Sequence, residues 1–137
     1  MHQSVSFTNA KPVGYEDLVV WQKGMELVKK VYEITRTFPR DEKFGLVSQM
    51  RRAAVSVPSN IAEGQARHST GEFVQFISHA EGSNAELHTQ LLLSVELGFC
   101  TQDRTAEAML LSQDLRRMLN GLRRRLQGRE NKVTNGK

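Results

Sequence analysis

Leu46-Val47-Ser48-Gln49-Met50-Arg51-Arg52-Ala53-Ala54-Val55-Ser56-Val57-Pro58-Ser59-Asn60-Ile61-Ala62-Glu63-Gly64 is the stretch that decides how many elements this chain contains. Leu46, Met50, Ala53, Val57 and Ile61 recur at steps of three and four, the spacing that lines one face of a helix. Pro58 interrupts it chemically, because a proline has no N–H to give the carbonyl one turn earlier. The spacing nevertheless continues through Pro58 to Ile61, so the stretch reads as one helix kinked at Ser56-Val57-Pro58 and not as two. Ser56, Ser59 or Asn60 can supply a local replacement partner for the freed carbonyl. The carboxylates of Asp41 and Glu42 suit its N-terminus, and Gly64 or a residue shortly after it is the expected stop.

Upstream, Asp17 is a candidate N-cap for a first helix that Pro39 ends. This helix carries two apolar stripes. Leu18, Trp21, Met25, Val28 and Tyr32 form one, and Val20, Leu27, Val31, Ile34 and Phe38 form another about 120° away. An arc that wide exceeds what one core needs, so one edge is expected to face another subunit. Downstream, Ser69-Thr70-Gly71-Glu72 has capping-box spacing and opens a third helix, with Phe73, Phe76, Ile77, Ala80, Leu87, Leu91 and Val95 inward and Gly98 just past its end. Thr101 caps a fourth, with Leu111, Leu115, Met118, Leu122 and Leu126 on its apolar stripe and Gly128 as its stop. No alternating strand-length run occurs. The fold class is therefore all-α: an antiparallel up-down-up-down bundle of four helices, each about 30 to 37 Å long.

The division along the chain is a flexible N-terminal arm over residues 1–14, the bundle over 15–127 and a basic polar tail over 128–137. A chain of 137 residues, 39% hydrophobic and 25% charged, supports one core, and no apolar run is long enough to cross a membrane. No secretory signal is evident, and one cysteine, Cys100, makes no internal disulfide, so a cytoplasmic setting is expected. Charge is distributed unevenly. Residues 1–115 carry a net charge of −3 and residues 116–137 a net charge of +7, an asymmetry that points to a polyanionic partner.

Catalytic and metal chemistry find little support. A ferritin-like centre needs Glu-x-x-His, yet Gln65, Phe76 and Ala85 stand three residues before His68, His79 and His88, and position 2 leaves His2 no room for one. His68 reads as a loop side chain, and His79 and His88, nine residues apart, as surface or interface residues on opposite sides of one helix. Neither a nucleophile elbow nor a phosphate-cradling glycine loop is present, and Cys100 follows a helix C-terminus, whose dipole raises a thiol pKa. The chain reads as no enzyme, with no metal and no cofactor.

Two constellations remain. Arg51, Arg52, Ser56, Asn60 and Glu63 on the second helix and Glu86 and Gln90 on the third are expected to form a structural polar network, because these helices face each other across a short loop. On the fourth, Arg116, Arg117, Arg123 and Arg124 share one face over about 12 Å, opposite the leucine stripe, and Arg125, Arg129 and Lys132 extend the charge. Guanidinium forks at that spacing can engage successive phosphates of a nucleic acid. No aromatic residue interleaves with them, so contact to the backbone is expected and not base stacking.

Tyr15-Glu16-Asp17-Leu18-Val19-Val20-Trp21-Gln22, the stretch from Phe44 to Gly64, Glu72-Phe73, Gly82-Ser83, Ala85-Glu86-Leu87, Thr89-Gln90-Leu91 and Met118-Leu119-Asn120-Gly121-Leu122 together resemble the four-helix bundle protein family, also called the S23 or 23S rRNA intervening-sequence protein family. The resemblance covers about residues 15–126. It implies a bacterial cytosolic four-helix bundle assembled as a homopentamer and related to the accessory variability protein of diversity-generating retroelements, a basic pentamer that associates with reverse transcriptase and nucleic acid. The ribosomal label attaches to the location of some members' genes within ribosomal RNA inserts. The expectation is an oligomer that binds structured RNA or other nucleic acid; its rival is a scaffold for a protein such as a reverse transcriptase.

Overall fold

The structure, a computed structural model, describes residues 14–135. Helix α1 spans Val19–Thr35, α2 Leu46–Gln65, α3 Thr70–Glu96 and α4 Gln102–Asn135. Each packs on the two helices that flank it in the cycle α1–α2–α3–α4–α1, while the diagonal pairs α1–α3 and α2–α4 stay apart. That is the expected up-down-up-down bundle. The expected arm over 1–14 lies, apart from Gly14, outside the described residues. Among the described residues no helix is long and apolar enough to cross a membrane.

Local chemistry sets most of the helix ends. Ser69 Oγ accepts the Glu72 N–H at 3.1 Å, and the same hydroxyl meets Glu72 Oε1 at 3.2 Å, so the expected cap of α3 forms with the glutamate turned to the side chain of Ser69. At its other end Gly98 takes φ 78°, with its own N–H on Val95 O and the Phe99 N–H on Ser94 O, the Schellman arrangement. Thr101 Oγ1 accepts the Arg104 N–H at 3.2 Å and so caps α4 as expected.

Three ends differ from expectation. The residue before α1 is Leu18, with no side-chain cap, since Tyr15–Asp17 form a 3-10 turn whose first carbonyl accepts the Leu18 N–H at 3.0 Å. Asp41 and Glu42 likewise lie in a 3-10 turn ahead of α2, although Glu42 still serves it, accepting the Leu46 N–H on Oε1 at 3.1 Å. At Gly128 the fourth helix does not stop, and it continues to Asn135, a length of about 51 Å at 1.5 Å per residue. The stretch expected as a polar tail is thus helical through that residue.

Pro58 is absorbed within one unbroken helix. Asn60 Nδ2 donates to the Ser56 carbonyl at 2.8 Å and to Ser56 Oγ at 2.9 Å, so the polar neighbours of the proline pair with each other. The ring is buried against α1 at Gly24, where a Cβ would lie 3.3 Å from Pro58 Cβ. A side chain at this position would make the ring give by a few tenths of an ångström, and glycine spares it that.

The core runs down the bundle axis and includes Leu27, Val31, Met50, Val57, Ile61, Ile77, Leu87, Leu91, Leu115 and Leu119. Of the two stripes on α1, the one through Leu27 and Ile34 is buried. The other stays at the edge, with Met25 and Tyr32 each 39% exposed and Leu18, Trp21 and Val28 half-buried. Phe73, Phe76 and Val95 on α3 are likewise half-buried and not fully inward.

Candidate nucleic-acid interface

The long α4 presents its arginines in three directions. Arg117 and Arg124 are exposed on the side away from the core, Arg116 lies toward α3, and Arg125 lies toward the start of α1. Arg116 lines a groove of about 410 Å³ with Glu81, Asn84, His88, Ser112 and Gln113, whereas Arg117 and Arg125 line one of about 280 Å³ with Leu18, Val19 and Gly121. Arg129 and Lys132 continue the exposed charge along the last turns.

Arg123 departs from the expected set. Its Nε donates to Glu81 Oε1 at 2.7 Å, Nη2 to Asn120 Oδ1 at 2.8 Å and Nη1 to Gln127 Oε1 at 3.2 Å, with both charged side chains about three-quarters buried. A guanidinium held on three partners is a strut between α3 and α4, not a free phosphate ligand. Arg117 pairs with Asp114 on its own helix and remains largely exposed. Among the described residues, Arg116, Arg124, Arg125 and Arg129 have no acidic partner.

The expected network across α2 and α3 resolves into separate pieces. Arg51 turns to α1, donating Nε to Thr35 Oγ1 at 3.0 Å and laying its guanidinium 4.4 Å from the centre of the Tyr32 ring. Ser56 Oγ meets Ser83 Oγ at 2.9 Å, with Asn60 on the same hydroxyl, and this is the one piece that joins α2 to α3. Glu63 pairs with Arg67 on the surface, Gln90 Nε2 reaches Glu86 Oε2 at 3.4 Å, and Arg52 stands exposed. Among the described residues the buried Gln90 Oε1 has no hydrogen-bond partner.

A buried pair that the sequence reading missed lies between α3 and α4. Asn84 Nδ2 donates to the Ser112 carbonyl at 2.9 Å while Ser112 Oγ donates to Asn84 Oδ1 at 3.0 Å, both residues being almost fully buried. The signal was available. Ile77, Ala80, Asn84, Leu87, Leu91 and Ser94 keep one three-four register, and a polar residue on a core stripe requires a partner.

Other chemistry is sparse. Among the described residues no group of His, Cys, Asp and Glu is arranged to hold a metal ion. His68 and His79 are exposed, the latter edge-on to Phe76, and His88 is half-buried in the α3–α4 groove. Burial pushes the Cys100 thiol up, with Arg104 and the Thr101 backbone opposing in part. Desolvation therefore acts in the direction expected from the helix end. Since the thiolate is the reactive form, disulfide-reagent labelling of Cys100 at pH 8 is expected to be slower in the folded protein than in urea. Equal or faster labelling of the folded protein would contradict an unactivated thiol.

A family model described as 23S rRNA-intervening sequence protein matches residues 16–121. No curated protein matches the sequence. A crystal structure of a protein of unknown function from the S23 ribosomal protein family of Bacteroides thetaiotaomicron is similar to this one, with a TM-score of 0.72 at 20% identity, covering 77% of this chain and 96% of that one. At that identity the likeness bears on the fold.

Proposed function

The chain belongs to the 23S rRNA-intervening sequence protein family, and from that premise we propose that it works without catalysis, as an oligomeric bundle that binds the backbone of structured RNA or other nucleic acid through α4. The observation that carries this reading is the set Arg116, Arg124, Arg125 and Arg129, exposed on several sides of one long helix with no acidic partner among the described residues. Arg117 joins this set once a phosphate competes with Asp114. Binding through such a surface releases counterions, so it weakens steeply with salt and reads shape more than sequence.

Self-association is part of the same proposal. Trp21, Met25 and Val28 on α1 and Val55, Pro58 and Ala62 on α2 line an open groove of about 370 Å³ that contains no charged side chain, a surface suited to a second copy. Several copies would multiply a weak cationic patch, because the second contact with one RNA is effectively intramolecular. The second reading, a protein scaffold, takes its support from this same groove, with a different protein such as a reverse transcriptase as its occupant.

Fluorescence anisotropy with duplex RNA at two salt concentrations, on protein whose mass is followed by light scattering, separates these readings. Replacing Arg116, Arg124, Arg125 and Arg129 together by Gln is expected to weaken binding at least tenfold at low salt and to flatten the slope of log affinity against log salt by about 3. Arg123→Gln serves as the internal contrast. It is expected to leave affinity within about twofold and to cost about 1–2 kcal/mol of stability, since its partners are within the fold. Unchanged affinity in the quadruple variant at unchanged mass would favour the scaffold.

A further inference from the structure

Next to the uncharged groove, and sharing Val55 with it, the α1–α2 face has a different character. Tyr32, Lys43, Phe44, Arg51, Arg52 and Val55 surround an open groove of about 450 Å³ into which no acidic side chain projects. Phe44 is 89% exposed, an unusual state for a phenyl ring, and Lys43 lies 5.4 Å from its centre. Arg51 sets its guanidinium carbon 4.4 Å from the centre of the Tyr32 ring and is anchored through Nε to Thr35, and Nε is the one nitrogen of its guanidinium with a hydrogen bond among the described residues. The groove thus combines an open ring, a second ring with an anchored guanidinium over it, and two further cations at its margin.

The geometry points to this groove as a binding site for unpaired nucleotides of RNA, in which bases stack on Phe44 and on the Arg51 plane while Lys43 and Arg52 take the adjoining phosphates. Aromatic rings and guanidinium planes that alternate with cations are the recurring physical basis of single-strand binding, since every base has a face to stack and every nucleotide a charge to neutralise. The rings are missing from α4, whose arginines have no aromatic residue among them. The charge selects the occupant. An apolar partner surface would leave Arg51 and Arg52 desolvated without a counter-charge, whereas a phosphate chain supplies one at each step. The site extends the nucleic-acid reading of α4 from paired backbone to unpaired bases, but it stands on its own residues and is tested apart from it.

The test uses anisotropy of a labelled single-stranded oligo-adenylate of about ten nucleotides beside an RNA duplex, on the full chain, with light scattering in the same buffer. Phe44→Leu, which keeps apolar bulk and removes the ring, is expected to weaken single-strand binding about tenfold while leaving duplex affinity and mass unchanged. Arg51→Lys, which keeps the charge and removes the plane, is expected to do the same to a smaller degree. An unaltered single-strand affinity in both variants overturns the proposal. So does a fall in oligomer mass in Phe44→Leu, which would assign the ring to contact between protein copies. Loss of duplex binding in the α4 quadruple variant leaves the Phe44 comparison readable, so failure at either surface is distinguishable from failure at the other.

Discussion

Gly64→Ala is expected to destabilise the protein by about 2 kcal/mol, a fall in Tm of about 8 °C. On helix propensity alone the substitution should stabilise by about 1 kcal/mol. Packing reverses the sign, because a Cβ at this position would lie 2.8 Å from Phe76 Cβ, 2.9 Å from Phe73 Cδ1 and 3.3 Å from the Phe73 carbonyl oxygen. Two of those atoms cannot rotate away, so α2 and α3 must separate at that point. Gly82→Ala on the outer side of α3 provides the comparison. Nothing lies within 4 Å of a Cβ there, and a gain of about 1 kcal/mol is expected. Urea unfolding measures both, and a Gly64→Ala variant as stable as the parent would show that the two helices are farther apart.

Asn84→Ala carries the other large effect, a loss of about 3 kcal/mol, from a cavity in the core and from the Ser112 hydroxyl left without its partner. Ser112→Ala should cost less, about 1–2 kcal/mol, since the Asn84 amide keeps its bond to the Ser112 carbonyl. If the two act as one unit, the double variant is less destabilised than the sum of the singles by about 1 kcal/mol in a thermal or urea cycle. Strict additivity would mean that the side chains do not meet.

The four helices were legible because the three-four spacing is set by residues close in the chain. This held even across Pro58, whose ring finds space against Gly24 on another helix. What the spacing could not supply was a choice between the two stripes of α1, since both are apolar and only the positions of α2 and α4 decide which is covered. Gly128 misled for a related reason: in a solvated helix glycine costs only about 1 kcal/mol, too little to end one that its neighbours continue.

At the candidate site the helical wheel placed the arginines on α4 but not their partners. Glu81, 42 residues from Arg123 in the chain, holds that guanidinium from α3, and no wheel drawn on α4 contains it. The same holds for Arg51, placed in a network with Glu63, Glu86 and Gln90 although its bond runs to Thr35 on α1. Side-chain partners across a bundle depend on the register between helices, which the separate helices do not encode. In the sequence Phe44 belongs to a motif and Tyr32 to a stripe, and they line one groove only because a turn and two helices meet there.

The cycle of helices has one seam whose two sides are distant in sequence, that between α1 and α4. Beyond the buried core it carries partly exposed polar links: Lys30 Nζ to Glu107 at 3.0 Å, Lys23 Nζ to Asp114 at 3.8 Å, and Arg104 Nη2 donating to the Glu33 carbonyl at 3.0 Å. The α2–α3 pair is joined by a loop of four residues and packed through Gly64 against two phenyl rings. Closing a short loop costs less entropy than bringing together the ends of a chain. The bundle therefore has an order in time as well as in space: its middle hairpin is favoured to assemble early, while α1, held across the far seam by links that salt weakens, is favoured to dock late and to leave first.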